Sequence, residues 1–143
     1  MTGDSDEFTS RVYISVRTRM QTADGHEMHP MKIRLLRRML RDRQYRGRDV
    51  EHTLAMLDSV QHGEDVYIMP YKYRSTYDIN TFLSYELAVY KPMLYDDLQT
   101  LAETYPVLED VVRVMSELPA ITPDNVPADS VVREFIGGSQ IEY

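Results

Sequence analysis

The sequence predicts an α/β fold, rich in helix and holding only a few strands. Three observations predict it. Arg11-Val12-Tyr13-Ile14-Ser15-Val16 alternates and is β-rich, as a strand does. Ile33, Leu36 and Leu40 follow i, i+3, i+7 behind Pro30, which marks the buried face of a long helix. Nearer the C-terminus, Leu108, Val111, Val112 and Met115 recur at helical spacing behind Pro106. With 143 residues, 43% of them hydrophobic, the chain can bury one core or serve as half of a larger fold.

In chain order, residues 1–10 are expected to be a flexible lead-in and 11–143 the ordered part. After the strand, Thr22-Ala23-Asp24-Gly25-His26 is turn chemistry. Pro30 suits the first position of a helix, where no amide donor is wasted, and that helix should run from Met31 to about Tyr45. Gly47 fits a left-handed residue past its end. Asp49 can cap a second helix over about 50–60, with Leu54 and Leu57 inward and Gly63 ending it. Val66–Met69 reads as extended and is stopped by Pro70. Tyr77–Asn80 is a candidate strand. Over Leu83–Tyr90, Tyr85, Leu87 and Val89 alternate with Ser84, Glu86 and Ala88, which favours a strand. Pro92 would then open a helix over about 93–104. Pro119, Pro123 and Pro127 mark a stiff connector, and Val131–Ile136 a last ordered piece.

Composition narrows the chemistry. There is no cysteine, which excludes a disulfide framework, a thiolate metal site and a Cys nucleophile. No apolar run approaches the roughly 20 residues that span a bilayer, and the acidic start is unlike a signal peptide. A soluble cytoplasmic protein with no membrane partner is the expectation. The net charge of −7 conceals an asymmetry. Residues 31–48 hold eight basic side chains against Asp42 alone, a net +7, while the other 125 residues carry −14. One concentrated arginine block in an acidic chain points to a local anion site rather than a general polyanion surface.

That block is Arg34-Leu35-Leu36-Arg37-Arg38-Met39-Leu40-Arg41-Asp42, followed by Arg46-Gly47-Arg48-Asp49. Arg34, Arg38 and Arg41 share one helix face, with Arg37 at its edge, and Arg46 and Arg48 flank the glycine. Guanidinium offers planar, bidentate, permanently charged donors that suit phosphate oxygens. The bland alternative is a solvated basic face.

The run resembles the lid of the uridine kinase/phosphoribulokinase family of P-loop kinases, whose pattern is close to R-L-x-R-R-x-x-R-D-x-x-x-R-G-R. The likeness extends through Tyr67-Ile68-Met69-Pro70, Asp78-Ile79-Asn80, Tyr85–Val89, Lys91-Pro92 and Arg133-Glu134-Phe135-Ile136-Gly137-Gly138-Ser139, as in the longer bacterial uridine-kinase-like proteins. This resemblance implies the C-terminal part of a P-loop kinase fold, with a lid over about 31–62. It implies transfer of the ATP γ-phosphate to a hydroxyl of a nucleoside or other small acceptor, with ATP and Mg²⁺ as cofactors. Arg41 and Arg46, with Arg37, would face ATP phosphates; Arg38 and Arg48 would contact the acceptor; Asp78 would lie near the ATP base. Uridine–cytidine kinases carry a Gln where this chain has Met56, which cannot pair with a base, so the resemblance does not specify uridine as the acceptor.

The chain contains no G-x-x-x-x-G-K-[ST] motif. The P-loop, the catalytic acid and the metal ligands are therefore expected in a missing N-terminal kinase half. The isolated chain, with no catalytic residue of its own, is expected to be inactive. A polyanion-binding module using the Arg helix on RNA is the rival reading, and the acidic remainder argues against it. His26 and His29 with Asp24 and Glu27 fit a surface turn better than a metal site. The tyrosines of 67–95 fit packing better than a nucleic-acid platform. Unpaired strand edges at Val12–Val16 and Ile79–Val89 predict a homodimer. Sedimentation at high concentration checks this, and a clean monomer counts against it.

Overall fold

The computed structural model describes residues 9–141, so all but Thr9 and Ser10 of the expected lead-in lie outside it. The chain is α/β, dominated by helix. Strand β1 (Val12–Ser15) is followed by a hairpin of β2 (Met20–Gln21) and β3 (Glu27–Met28). The turn between them closes through Thr22 N–H to His26 C=O at 2.9 Å, with Gly25 at φ 87°. Helix α1 (Pro30–Arg46) is the central element. It is followed by α2 (Val50–Ala55), α3 (Leu57–Tyr67) and a 3-10 turn at Met69–Arg74. Strand β4 (Tyr77–Asn80) then lies parallel to β1, pairing Val12 with Tyr77 and Ile14 with Ile79. A parallel pair needs a long crossover, and α1–α3 provide it. Helix α4 (Glu86–Ala102), a 3-10 turn at Pro106–Leu108, α5 (Glu109–Glu117), a 3-10 turn at Pro123–Asn125 and α6 (Arg133–Ile136) complete the chain.

The core forms around α1. Ile33, Leu35, Leu36, Met39 and Leu40 are buried, and α4 brings Leu87, Tyr90, Leu94 and Leu98 at i, i+3, i+7, i+11. Leu108, Val111 and Met115 from the Pro106–Glu117 segment, and Val132 and Ile136 near α6, close it. The ends of α1 match their sequence signals. His29 Nδ1 accepts from Met31 N–H, Pro30 sits in the first turn, and Gly47 takes φ 60°, ψ 25°. Asp49 caps α2 by accepting from His52 N–H at 2.7 Å.

Several expectations fail. Leu83–Tyr90 is not a strand: α4 starts at Glu86, and Glu86 to Tyr90 are all buried. Burial on every side erases the polar–apolar contrast that normally separates the two periods. Pro92 does not open a helix but lies inside α4. Its missing N–H would orphan the Ala88 carbonyl one turn back; Ile121 N–H donates there at 2.9 Å. The second helix does not run unbroken over 50–60 or end at Gly63. It breaks at Met56, and α3 continues through Gly63 to Tyr67. Gly63 has no heavy atom near its absent Cβ and no positive φ, so nothing there demands a turn. Val66–Met69 is not extended, because Pro70 enters a 3-10 turn instead of stopping a strand.

One buried ion pair ties α1 to α4. The Glu86 side chain is 0% exposed and accepts from Arg37 Nε at 2.7 Å and Nη2 at 2.9 Å. Tyr90 O–H and Leu83 N–H also donate to it, at 3.1 and 3.0 Å. Arg37 further donates to Thr81 and lies over the Phe135 ring, 5.3 Å from its centroid. Burial alone would lower the Arg37 pKa, but the Glu86 hydrogen bond and charge raise it above the ordinary value. Burial, then the Glu86 charge, pushes the Tyr90 hydroxyl up and keeps it neutral. Removing one partner of such a pair strands the other charge in the interior. Glu86→Ala is expected to lower unfolding free energy by about 3–5 kcal/mol, measured by urea denaturation.

Candidate functional site

The arginine block separates into two groups. Four of its cations hold α1 in place. Lys32 is buried, donates to the Val107 carbonyl and lies 3.6 Å from Asp110. Arg34 makes a two-pronged pair with Glu64 of α3. Arg37 is held by Glu86. Arg43 donates to the Met93 carbonyl at 2.9 Å and pairs with Asp97.

The other four cluster toward the end of α1. Arg41, Arg46 and Arg48 converge on one carboxylate, Asp42, whose side chain is 1% exposed. Arg46 Nη1 donates to Oδ1 at 3.0 Å. Arg41 Nε lies 3.6 Å from the same oxygen, and Arg48 Nη1 lies 3.7 Å from Oδ2. The backbone explains the convergence. Gly47 turns left-handed, and Arg48 N–H donates to the Asp42 carbonyl at 3.1 Å, so the chain doubles back over the last turn. Arg46, four residues beyond Asp42 and still within α1, reaches it by helical spacing, and the turn brings Arg48, six residues beyond, to the same carboxylate. Arg41, Arg46 and Arg48 keep 40%, 51% and 38% of their side chains exposed, so their guanidinium groups touch Asp42 on one side and face water on the other.

Arg38 makes no hydrogen bond or ion pair among the described residues. Burial, then the charge of Arg41, lowers its pKa, opposed mainly by Glu64. It stays a cation, in a half-buried position where an added anion would be stabilised. Arg41 Nε is buried and has no hydrogen-bond acceptor. Arg41 also borders a hollow of about 470 Å³ lined by Tyr45, Glu134, Gly138, Ser139 and Ile141. The local charge of three guanidiniums on one carboxylate is +2. Such a site can hold a multiply charged oxyanion by charge-assisted hydrogen bonds.

Other anticipated residues lie elsewhere. Asp78 is on β4, where it accepts from Arg17 Nη1 at 2.9 Å. Met56 faces the cluster, its sulfur 3.8 Å from Arg48 Nη1. A second cleft, about 290 Å³, opens at the carboxyl end of β1, with Ser15, Arg17, His29, Arg34 and Lys72 among its walls. Sequence reasoning missed this cleft and the organising place of Asp42. A lone acid inside an arginine run was the only available signal. Among the described residues, no group of three or more His, Cys, Asp or Glu could hold a metal ion, and no helix is long and apolar enough to cross a membrane.

No family model, curated protein or solved structure matches this chain. The cluster geometry and the motif that builds it therefore carry the functional argument.

Gly47 is the joint on which the approach of Arg48 to Asp42 depends. Gly47→Ala places a Cβ at positive φ and is expected to cost about 1–2 kcal/mol in chemical denaturation. Gly47→Asn should recover part of that loss, because Asn tolerates the left-handed region better.

Proposed function

We propose that this chain is the lid and C-terminal portion of an ATP-dependent phosphotransferase of the uridine kinase type, acting on a hydroxyl of a nucleoside or other small acceptor. The observation that carries the reading is the convergence of Arg41, Arg46 and Arg48 from both sides of one glycine joint. It is supported by the R-L-x-R-R-x-x-R-D-x-x-x-R-G-R pattern, which resembles the lid of that family. ATP would supply the transferable phosphoryl group. Arg41, Arg46 and Arg48 would bind its phosphate oxygens and neutralise charge as the bond to the leaving diphosphate lengthens. Arg38 and the outer face of Arg48 would orient the acceptor. Arg37 contributes through the fold, since Glu86 and Thr81 occupy its donors.

The cluster fits phosphate oxygens, but the described residues offer no Mg²⁺ ligand set. The metal and the amide cradle for the triphosphate would come from a P-loop segment outside this sequence. The proposed role here is anion binding and charge stabilisation.

Two measurements test the reading. The purified chain should bind pyrophosphate or ATP by calorimetric titration, and joint replacement of Arg41, Arg46 and Arg48 by Ala should abolish binding. Steeply salt-dependent RNA binding without ATP or pyrophosphate binding would favour the RNA module instead. In the intact phosphotransferase, Arg41→Ala or Arg46→Ala is expected to lower kcat by roughly 10²-fold, because the neighbouring arginines share the stabilisation. Arg48→Ala should also raise KM for the acceptor. Lys at these positions should restore only part of the rate, since it keeps charge and loses the bidentate fork. Values within about twofold of wild type for both Arg41→Ala and Arg46→Ala would leave the arginines as a solvated face.

A further inference from the structure

We propose that Asp42 is a positioning residue: its buried carboxylate gathers Arg41, Arg46 and Arg48 into a pre-ordered receptor for a diphosphate group, which binds their outer donors without displacing it. The proposal rests on the phosphate-site reading above and adds to it the device that shapes the site.

Four features support it. Asp42 is held by its own backbone, because its carbonyl accepts from Arg48 N–H at 3.1 Å in the turn that ends α1. Its side chain is buried, so it is a poor candidate to swing away when a ligand arrives. Its oxygens are divided between arginines: Oδ1 faces Arg41 and Arg46, and Oδ2 faces Arg48. Finally, one carboxylate cannot neutralise three guanidiniums. The residual +2 balances most of the charge of a bound diphosphate, and the solvent-facing nitrogens remain free to donate.

A carboxylate beside an anion site has an opposite possible role. It could act as a competitor that occupies the arginines until the ligand displaces it. The two roles predict opposite signs. By Coulomb's law alone, removing a negative charge tightens anion binding. If Asp42 positions the arginines, removing its charge loosens binding although the site becomes more positive.

The test compares pyrophosphate affinity of wild type, Asp42→Asn and Asp49→Asn. Asp49 adjoins Arg48 but acts as the N-cap of α2, and Asn caps nearly as well. Asp49→Asn therefore removes one charge and leaves the cap in place. It should tighten binding, by up to about threefold. Asp42→Asn should weaken it by about tenfold. Tightening by Asp42→Asn similar to that by Asp49→Asn would overturn the proposal and make Asp42 a competitor.

Asp42→Asn could unfold the end of α1, so a measurement on the wild-type chain stands beside it. Guanidinium rotation, read by NMR at the Arg Nε–H groups without any anion, should already be slowed at Arg46 and Arg48 relative to exposed Arg74. Free rotation there until pyrophosphate is added would overturn the proposal even if no Asp42 variant folds, while leaving the phosphate-site reading intact. Slowed rotation with no pyrophosphate binding by wild type would instead defeat the phosphate-site reading, and this proposal with it.

Discussion

The fold is governed by the burial of a helix that carries a dense set of cations. Helix α1 lies at the centre of the core, with Ile33, Leu36 and Met39 fully enclosed, and bears Lys32 and six of the chain's arginines. An unpaired charge at a core boundary costs several kcal/mol, so each inward cation needs a carboxylate or a carbonyl. The elements around α1 provide them. Helix α3 gives Glu64, α4 gives Glu86 and Asp97, and α5 gives Asp110. Four of the 22 acidic residues outside residues 31–48 are explained this way. They are the partner set that lets α1 be central, and these pairs fix which face of each helix turns inward.

This constraint also sorts the arginines. The family resemblance groups Arg37 with Arg41, although spacing puts Arg37 only at the edge of the Arg34, Arg38, Arg41 face. The structure separates them by partner. Arg37 meets Glu86, 49 residues away in sequence, in an enclosed site, whereas Arg41 pairs with its neighbour Asp42 and keeps 40% of its side chain exposed. No local pattern could announce the Glu86 contact, because it depends on α4 being a helix and on its packing angle against α1. The same contact explains why the Leu83–Tyr90 segment misleads. Glu86 looks like the polar half of a strand alternation, yet it is a buried ligand for Arg37, and its polarity says nothing about exposure.

Around helix α1 the local signals were legible, although those at Gly63, Pro70 and Pro92 were not. Pro30, Gly47 and Asp49 act within one turn of themselves, and each does in the structure what its chemistry suggests. The parallel pairing of β1 with β4 depends on a partner 65 residues away and was not legible, and no sequence signal marked the break at Met56. For the candidate site, the arginines could be read from their spacing about Gly47. The buried state of Asp42 could not, because an acid in a basic run looks like simple charge dilution until its accessibility is known.

The dimensions of the cluster bear on how an anion could enter it. Among the described residues, only the Arg46 guanidinium makes a true hydrogen bond to the Asp42 carboxylate, while those of Arg41 and Arg48 stand at 3.6 and 3.7 Å. Those two contacts are electrostatic restraint without the full directional bond. Each arginine has about 2 kcal/mol of rotamer entropy to lose on ordering. A restraint of this kind removes part of that cost in advance and leaves the outer N–H groups unsaturated. A fully hydrogen-bonded salt-bridge network would have consumed those donors, and arginines with no carboxylate between them would repel one another outward. Three cations on one buried carboxylate fall between these limits: ordered enough to be found together, and electropositive enough to accept another anion.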